Sequence, residues 1–275
     1  MNNRLLLLRG LPVILGLALV AAPAAVRAQG DEATQIEQQM GVVGSETREG
    51  RRLNRQLDEI VDRIVRAVNE RRDGNFQLRS AKILGGRTEK YDKMVNAFAM
   101  PDGRIYVTLG LMRLVQESPY ADDEIAFVVG HEVTHVVQKH SQSQQKKALP
   151  ANVLAILLGA ATKNKTVGNI AGYGAAAYSS KFSREDEYRA DKGGLRAMHR
   201  AGYNPEASIT MLDRLGQLGG SQSSLVNGWF GSHPLTQNRI DRVEEMIGQL
   251  RNDGRITDNA SNLDQERPRR RQPRN

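Results

Sequence analysis

One stretch restricts the fold of this chain more than any other: the helical run from Tyr120 to Lys139, which carries His131-Glu132-Val133-Thr134-His135 near its middle. Ile125, Val128, Val129, Val133, Val136 and Val137 spread apolar surface round most of its circumference, so the helix belongs inside a domain. Asp122 or Asp123 is placed to cap its N-terminus, and Glu124 favours the first turn. Three polar residues at the centre of a buried helix are costly unless they bind something. Two histidines four residues apart lie about 40° apart round a helix and about one turn apart along it, so both rings can reach one ion. Neutral imidazole suits Zn2+. Glu132, roughly 100° round from His131, is near enough to take a proton from water without being a ligand. One Zn2+ per chain and zinc-peptidase chemistry are the expectation.

The 275 residues, 39% of them hydrophobic, suit one domain of moderate size with appendages. Residues 1–28 have the order of a cleaved export signal: Arg4 and Arg9, an apolar stretch over 11–22, Pro23, then small residues ending at Ala28. That stretch is shorter than the about 20 apolar residues a bilayer span needs, which favours a signal over an anchor. Three arginines before residue 29, with Arg267, Arg269, Arg270, Arg271 and Arg274, account for the formal charge of +8. The middle is near neutral and offers no basic patch for nucleic acid. No cysteine occurs, which excludes disulfides, thiol catalysis, Cys-ligated zinc and the cysteine of a lipid anchor. The expected organisation is a signal peptide over 1–28, a metallopeptidase domain over 29–250 and a disordered Arg-rich tail over 251–275, in a protein exported to the periplasm or cell envelope. Arginines worth about 1 kcal/mol each near an anionic membrane admit a weak peripheral contact through that tail, beside which a solvated tail is the simpler reading.

Along the chain, a short helix is expected over 33–40 and a clearer one over 51–69, where Leu53, Leu57, Ile60, Val61, Ile64, Val65 and Val68 form a stripe at helical spacing. Around 77–84 and 93–100 the period shortens toward alternation, and Pro101-Asp102-Gly103 turns into 104–108, so two or three strands are expected. Asn96-Ala97-Phe98 lies in one of them. A strand beside a zinc cleft can bind an extended peptide through its main chain, although a hairpin with a core Phe is the simpler reading. A helix over 110–116 follows. Apolar residues 151–162 and Gly/Ala-rich residues 167–180 suit a helix hairpin over the metal-binding helix. Glu187 and Asp191 stand at i and i+4, so one carboxylate could meet the metal while the other holds a ligand histidine by its second nitrogen. Helices over 195–201, 205–218 and 236–250 complete the chain, with His233 held extended by Pro234. The fold class is α+β, predominantly helical, with a small β-sheet.

His131-Glu132-x-x-His135, Glu187-x-x-x-Asp191 and Ser232-His233-Pro234 followed by Arg239 carry a family resemblance, as do Asn96-Ala97-Phe98 and the Pro101 to Thr108 stretch upstream. With Glu37-x-x-x-Gly41 as an opening, they resemble metallopeptidase family forty-eight, the HtpX and CAAX-prenyl-protease relatives, over about residues 37–248. The resemblance implies a zincin-like, gluzincin fold in which His131, His135 and Glu187 hold zinc and a water takes the fourth position. It implies Glu132 as general base and then proton donor to the leaving amine, and Asp191 behind a ligand histidine. Asn96 and Ala97 would lie on a substrate-binding edge strand. His233 would stand beside the zinc, either as a donor to the tetrahedral intermediate or as a ligand closing a resting site, with Arg239 bracing its loop against a carboxylate. Without the spanning helices of membrane relatives, the chain resembles the exported branch. The other common pattern, HExxHxxGxxH, is absent: Gln138 and Ser141 occupy its Gly and His positions, and His140 is one residue out of step. The expected activity is endoproteolysis of unfolded or misassembled envelope proteins. The competing class is a chaperone-like client-binding protein that keeps zinc for structure.

Overall fold

The computed structural model describes residues 33–71, 74–140, 182–220 and 233–254. Its first elements are α1 (residues 33–40), α2 (Arg48–Asn69), β1 (Ser80–Leu84), α3 (Glu89–Asp92), β2 (Ala97–Ala99) and β3 (Arg104–Thr108). Then come α4 (Leu109–Val115), α5 (Ala121–Val137), α6 (Arg184–Arg200), α7 (Ala207–Gly220) and α8 (Gln237–Asp253). The export signal, the hairpin expected over 151–180 and the tail beyond 254 lie outside the described residues. No helix among the described residues is long and apolar enough to cross a membrane.

Local chemistry sets most of the helix boundaries. The stripe on α2 is buried throughout, from Leu53 to Val68. That helix starts at Arg48, ahead of the expected Arg51, because the Thr47 hydroxyl accepts the Gly50 N–H at 2.9 Å. Thr108 caps α4 in the same way, and Thr236 caps α8. Helix α8 runs on to Asp253, past the expected end at 250, until Gly254 closes it with φ +63°. At α5 the expectation of an Asp cap fails: Tyr120 holds the capping position with no side-chain bond. Asp122 instead accepts from the Gln56 amide at 2.6 Å and Asp123 from the Asn204 N–H at 2.6 Å. Those two carboxylates tie α5 to its neighbours, and both still sit in the first turn where the helix dipole favours them.

The sheet is three-stranded in the order β1-β3-β2, with β1 parallel and β2 antiparallel to β3. Gly103, at φ +89°, makes the turn between β2 and β3. Only Ala97–Ala99 of the expected strand over 93–100 is extended. Thr88 caps the short helix α3 just before it, and the Thr108 hydroxyl accepts the Asn96 N–H at 2.9 Å, so the segment enters the sheet late. Helix α1 covers one face of the sheet with Ile36 and Met40, which are buried with Met94, Met100 and Tyr106. Glu37 fastens it, accepting from the Tyr106 hydroxyl at 2.6 Å and from Lys82 at 2.8 Å.

The main core lies on the other side. Leu57 and Ile64 from α2, Phe127 and Val128 from α5, Leu195 from α6, Met211 from α7 and Met246 from α8 join one buried cluster. Full burial of each such side chain contributes about 1.5–3 kcal/mol. Helix α5 is its axis, touching α2, β2, α4, α6 and α7. It meets α6 most closely where Gly130 faces Gly194: a Cβ on Gly194 would lie 2.9 Å from the His131 nitrogen and 3.2 Å from the Phe127 oxygen. Helix α6 itself is continuous, where two separate segments were expected from the sequence. A reciprocal cap between Ser183 and Asp186 starts it, and it runs through Gly193 and Gly194, where α5 packs closest, on to Arg200.

Candidate metal centre

The close α5–α6 crossing puts the two polar motifs face to face. His131, Glu132 and His135 project from α5, Glu187 and Asp191 from α6, and all five are buried. His233, also buried, enters from the segment ahead of α8, and Arg239 from the first turn of that helix.

Four side chains converge on one point. The Nε2 atoms of His131 and His135 are 3.0 Å apart, and His233 Nδ1 is 3.3 Å from His131 Nε2. Glu187 places Oε1 at 3.4 Å from His135 Nε2 and 2.9 Å from His233 Nδ1, and Oε2 at 3.6 Å from His131 Nε2. Ligand atoms from all four lie within 4.8 Å of one another. A tetrahedral zinc with bonds of about 2.0–2.1 Å requires ligand atoms about 3.3 Å apart, and these separations straddle that value. Asp191 Oδ1 accepts His131 Nδ1–H at 2.9 Å, which leaves a lone pair on His131 Nε2 pointing into the cluster. Lone pairs and a carboxylate aimed at one buried point call for a cation, so the donor set fits zinc.

The surroundings hold these groups in place. Arg239 grips Asp191 with two parallel bonds of 2.6 and 2.7 Å and sets its remaining nitrogen 2.7 Å from Glu187 Oε2. The guanidinium thus meets two carboxylates on α6, where the sequence suggested one. Glu132 Oε1 has no hydrogen-bond partner among the described residues and stands 3.4 Å from His233 Nε2. Phe182 stacks on His135, ring centres 4.0 Å apart, and on His233 at 5.2 Å.

Burial dominates the electrostatics. It pushes the Glu132 carboxyl up to about 7, aided by the charge of Glu187 and opposed by His233 and Arg239. It also drives the His131 and His135 imidazoles below their usual value, so neutral rings are favoured. Burial opposes charge on His233 too, but Glu187 and Glu132 outweigh it and raise its pKa. For Glu187 desolvation is outweighed by His233 and by hydrogen bonds from His135 and His233, and its carboxyl is held well below the usual range.

Asn96 and Ala97 stand apart from this cluster, buried at the start of β2 on the edge of the sheet, with β2 beside α5. Ser232 lies outside the described residues. One neighbour of the cluster went unanticipated: His140, buried with its Nδ1 2.9 Å from His135 Nδ1. Its only signal in the sequence was a histidine just past the end of the helix.

A mainly helical α+β fold with a small sheet, in which an HExxH helix crosses a helix bearing a carboxylate directed at both histidines, defines a zincin-like metallopeptidase domain. The profile of Peptidase family M48 matches residues 51–247, and the chain belongs to that family. Relatives include mitochondrial metalloendopeptidase OMA1 of Arabidopsis thaliana, 28% identical over 206 residues, which are 74% of this chain and 40% of that protein. Metalloprotease LoiP of Escherichia coli K12 is 31% identical over 161 residues, 56% of this chain and 60% of the relative. Beta-barrel assembly-enhancing protease of the same organism is 29% identical over 170 residues, 57% of this chain and 33% of the relative. The chain therefore spans between a third and three fifths of the length of these relatives.

Proposed function

We propose that this chain is a zinc metalloendopeptidase of the cell envelope that hydrolyses peptide bonds in unfolded or misassembled proteins. One observation carries the reading: three imidazole nitrogens and a Glu187 oxygen converge on one buried point, with the free Glu132 oxygen beside them. His131, His135 and Glu187 would hold the metal, which when bound supplies Lewis acidity toward water and a peptide carbonyl. Glu132 takes the proton of the attacking water and passes it to the leaving amine. Its pKa of about 7 suits a group that must do both near neutrality. Asp191 keeps His131 in the tautomer that presents Nε2, and Arg239 keeps Asp191 aligned. An edge position for β2 supports strand-like binding of extended backbone past Asn96 and Ala97, a mode that selects unfolded chains. The name of one relative, beta-barrel assembly-enhancing protease, supports clients among proteins under assembly. A signal peptide over 1–28, a domain over 29–250 and an Arg-rich tail belong to the same proposal.

A second reading is favoured by His233, whose Nδ1 already lies within the ligand set. A fourth protein ligand closes a site that catalysis needs open, giving a latent enzyme or a client-binding protein. Digestion of one protein in folded and unfolded form, by the parent and by Glu132→Gln with its zinc content verified, tests both. Cleavage of the unfolded form by the parent alone supports the peptidase. Equal rates on both forms overturn the substrate class. If neither protein cleaves while both bind zinc, the closed site stands, and His233→Ala is expected to release activity.

A further inference from the structure

Beyond the four converging side chains, a second buried contact reaches one of them from behind. Helix α5 ends at Val137, and Lys139 then adopts φ +56°, a left-handed conformation that lysine rarely takes. That turn swings His140 back over the helix end, where it is buried with Nδ1 2.9 Å from His135 Nδ1. A backbone strained to bring one side chain to one place calls for a reason.

The proton arrangement supplies it. Between two Nδ1 atoms at hydrogen-bond distance, one donates and the other accepts. His140 Nε2 faces Gln138 Oε1 at 3.1 Å and the Asp186 carboxylate at 3.7 Å. The Gln138 amide can turn either way, but a carboxylate can only accept. Asp186 uses Oδ2 for the Ser183 hydroxyl and N–H, at 2.7 and 3.2 Å, leaving Oδ1 toward His140. The Asp186 charge favours the His140 proton on Nε2; its Nδ1 then accepts from His135 Nδ1–H, and the lone pair of His135 Nε2 points at the cluster. Asp191 does the same for His131 directly.

We propose that His140 is a positioning residue for the metal centre, fixing the tautomer and ring orientation of His135 through the Nδ1–Nδ1 hydrogen bond, with the Asp186 carboxylate at 3.7 Å biasing the His140 proton toward Nε2. Asp186 also belongs to the cap of α6, one residue before Glu187. His140 thus stands between His135 on α5 and the start of the helix that carries Glu187.

The inference rests on zinc binding at the cluster, and the test separates the two. Zinc affinity is measured by chelator competition for the full chain, His140→Leu and His140→Asn, with melting of the metal-free forms as the folding control. Removing the acceptor in the Leu variant is expected to weaken binding about 10- to 100-fold. The Asn variant, whose oxygen can stand near the position of Nδ1, is expected to recover most of that loss. Long-range proton–nitrogen spectra of the zinc-loaded parent should show His135 protonated at Nδ1 and His140 at Nε2. A parent that binds no zinc overturns both this inference and the function it rests on. A parent that binds zinc no better than His140→Leu overturns the inference alone. So does an Asn variant as weak as Leu with both melting like the parent, or the reverse assignment of the ring protons.

Discussion

Glu132 is buried among charges of both signs, and its two protonation states differ in consequence. A carboxyl with a folded pKa of about 7 and an unfolded value of 4.5 favours folding fully below 4.5, and this contribution is lost as pH rises through 7. Glutamine has no such dependence. The metal-free Glu132→Gln variant is therefore expected to gain on the parent between pH 5 and 8, by on the order of 3 kcal/mol at the upper end. Melting curves across that range check it; a gap that stays constant would show that Glu132 ionises without penalty. The same variant should keep its zinc and lose about 10^2- to 10^4-fold in turnover. His233 differs in sign. Its neighbours favour the protonated ring, whereas His131 and His135 are already held neutral. If His233 joins the metal it must give up that proton, so zinc uptake at pH 7 should release more protons in the parent than in His233→Ala. Titration in weak buffer measures the difference, and equal release would leave His233 outside the ligand set.

At the level of elements, the site depends on how closely α5 and α6 approach. Gly130 and Gly194 allow it, since a methyl on Gly194 meets the backbone of His131 and Phe127. Gly194→Ala should push α6 away from α5 and carry Glu187 and Asp191 with it. The expected result is a loss of about 1–3 kcal/mol in stability together with weaker zinc binding. Thermal melts and chelator competition are the measurements. A variant that loses stability but keeps full zinc affinity would mean that the helices slide without disturbing the ligands.

Over the whole molecule, the converging side chains come from three places far apart in the chain: the second half of α5, the first turn of α6 and the segment before α8. A bound metal ties these together only in the folded state, so it should stabilise by mass action, about 2.7 kcal/mol at a hundredfold excess over its dissociation constant. Stripping zinc with a chelator is expected to lower the melting temperature of the parent and leave His131→Ala unmoved. A parent indifferent to the chelator would argue against a metal that spans the core. Arg239 works alongside as a fixed cation, joining α8 to Glu187 and Asp191 of α6 whether or not metal is present.

The amino-acid sequence by itself determined what local spacing can encode. The turn of a helix alone sets His131 and His135 on one face and Glu187 a turn from Asp191, and the apolar stripe of α2 declares which side is buried. Even there, side chains that reach beyond their own segment were misread. Asp122 and Asp123 look like caps, yet they bond Gln56 and Asn204, and alternation over 93–100 hid a strand of three residues. Only the tertiary structure decided which group meets which: Glu187 toward the two Nε2 atoms, Asp191 behind His131, Arg239 across both carboxylates and His140 against His135. Spacing along a helix fixes direction to within part of a turn. Which atoms come within 3 Å of each other depends on where two helices cross, and that is set by glycines and packing some sixty residues apart.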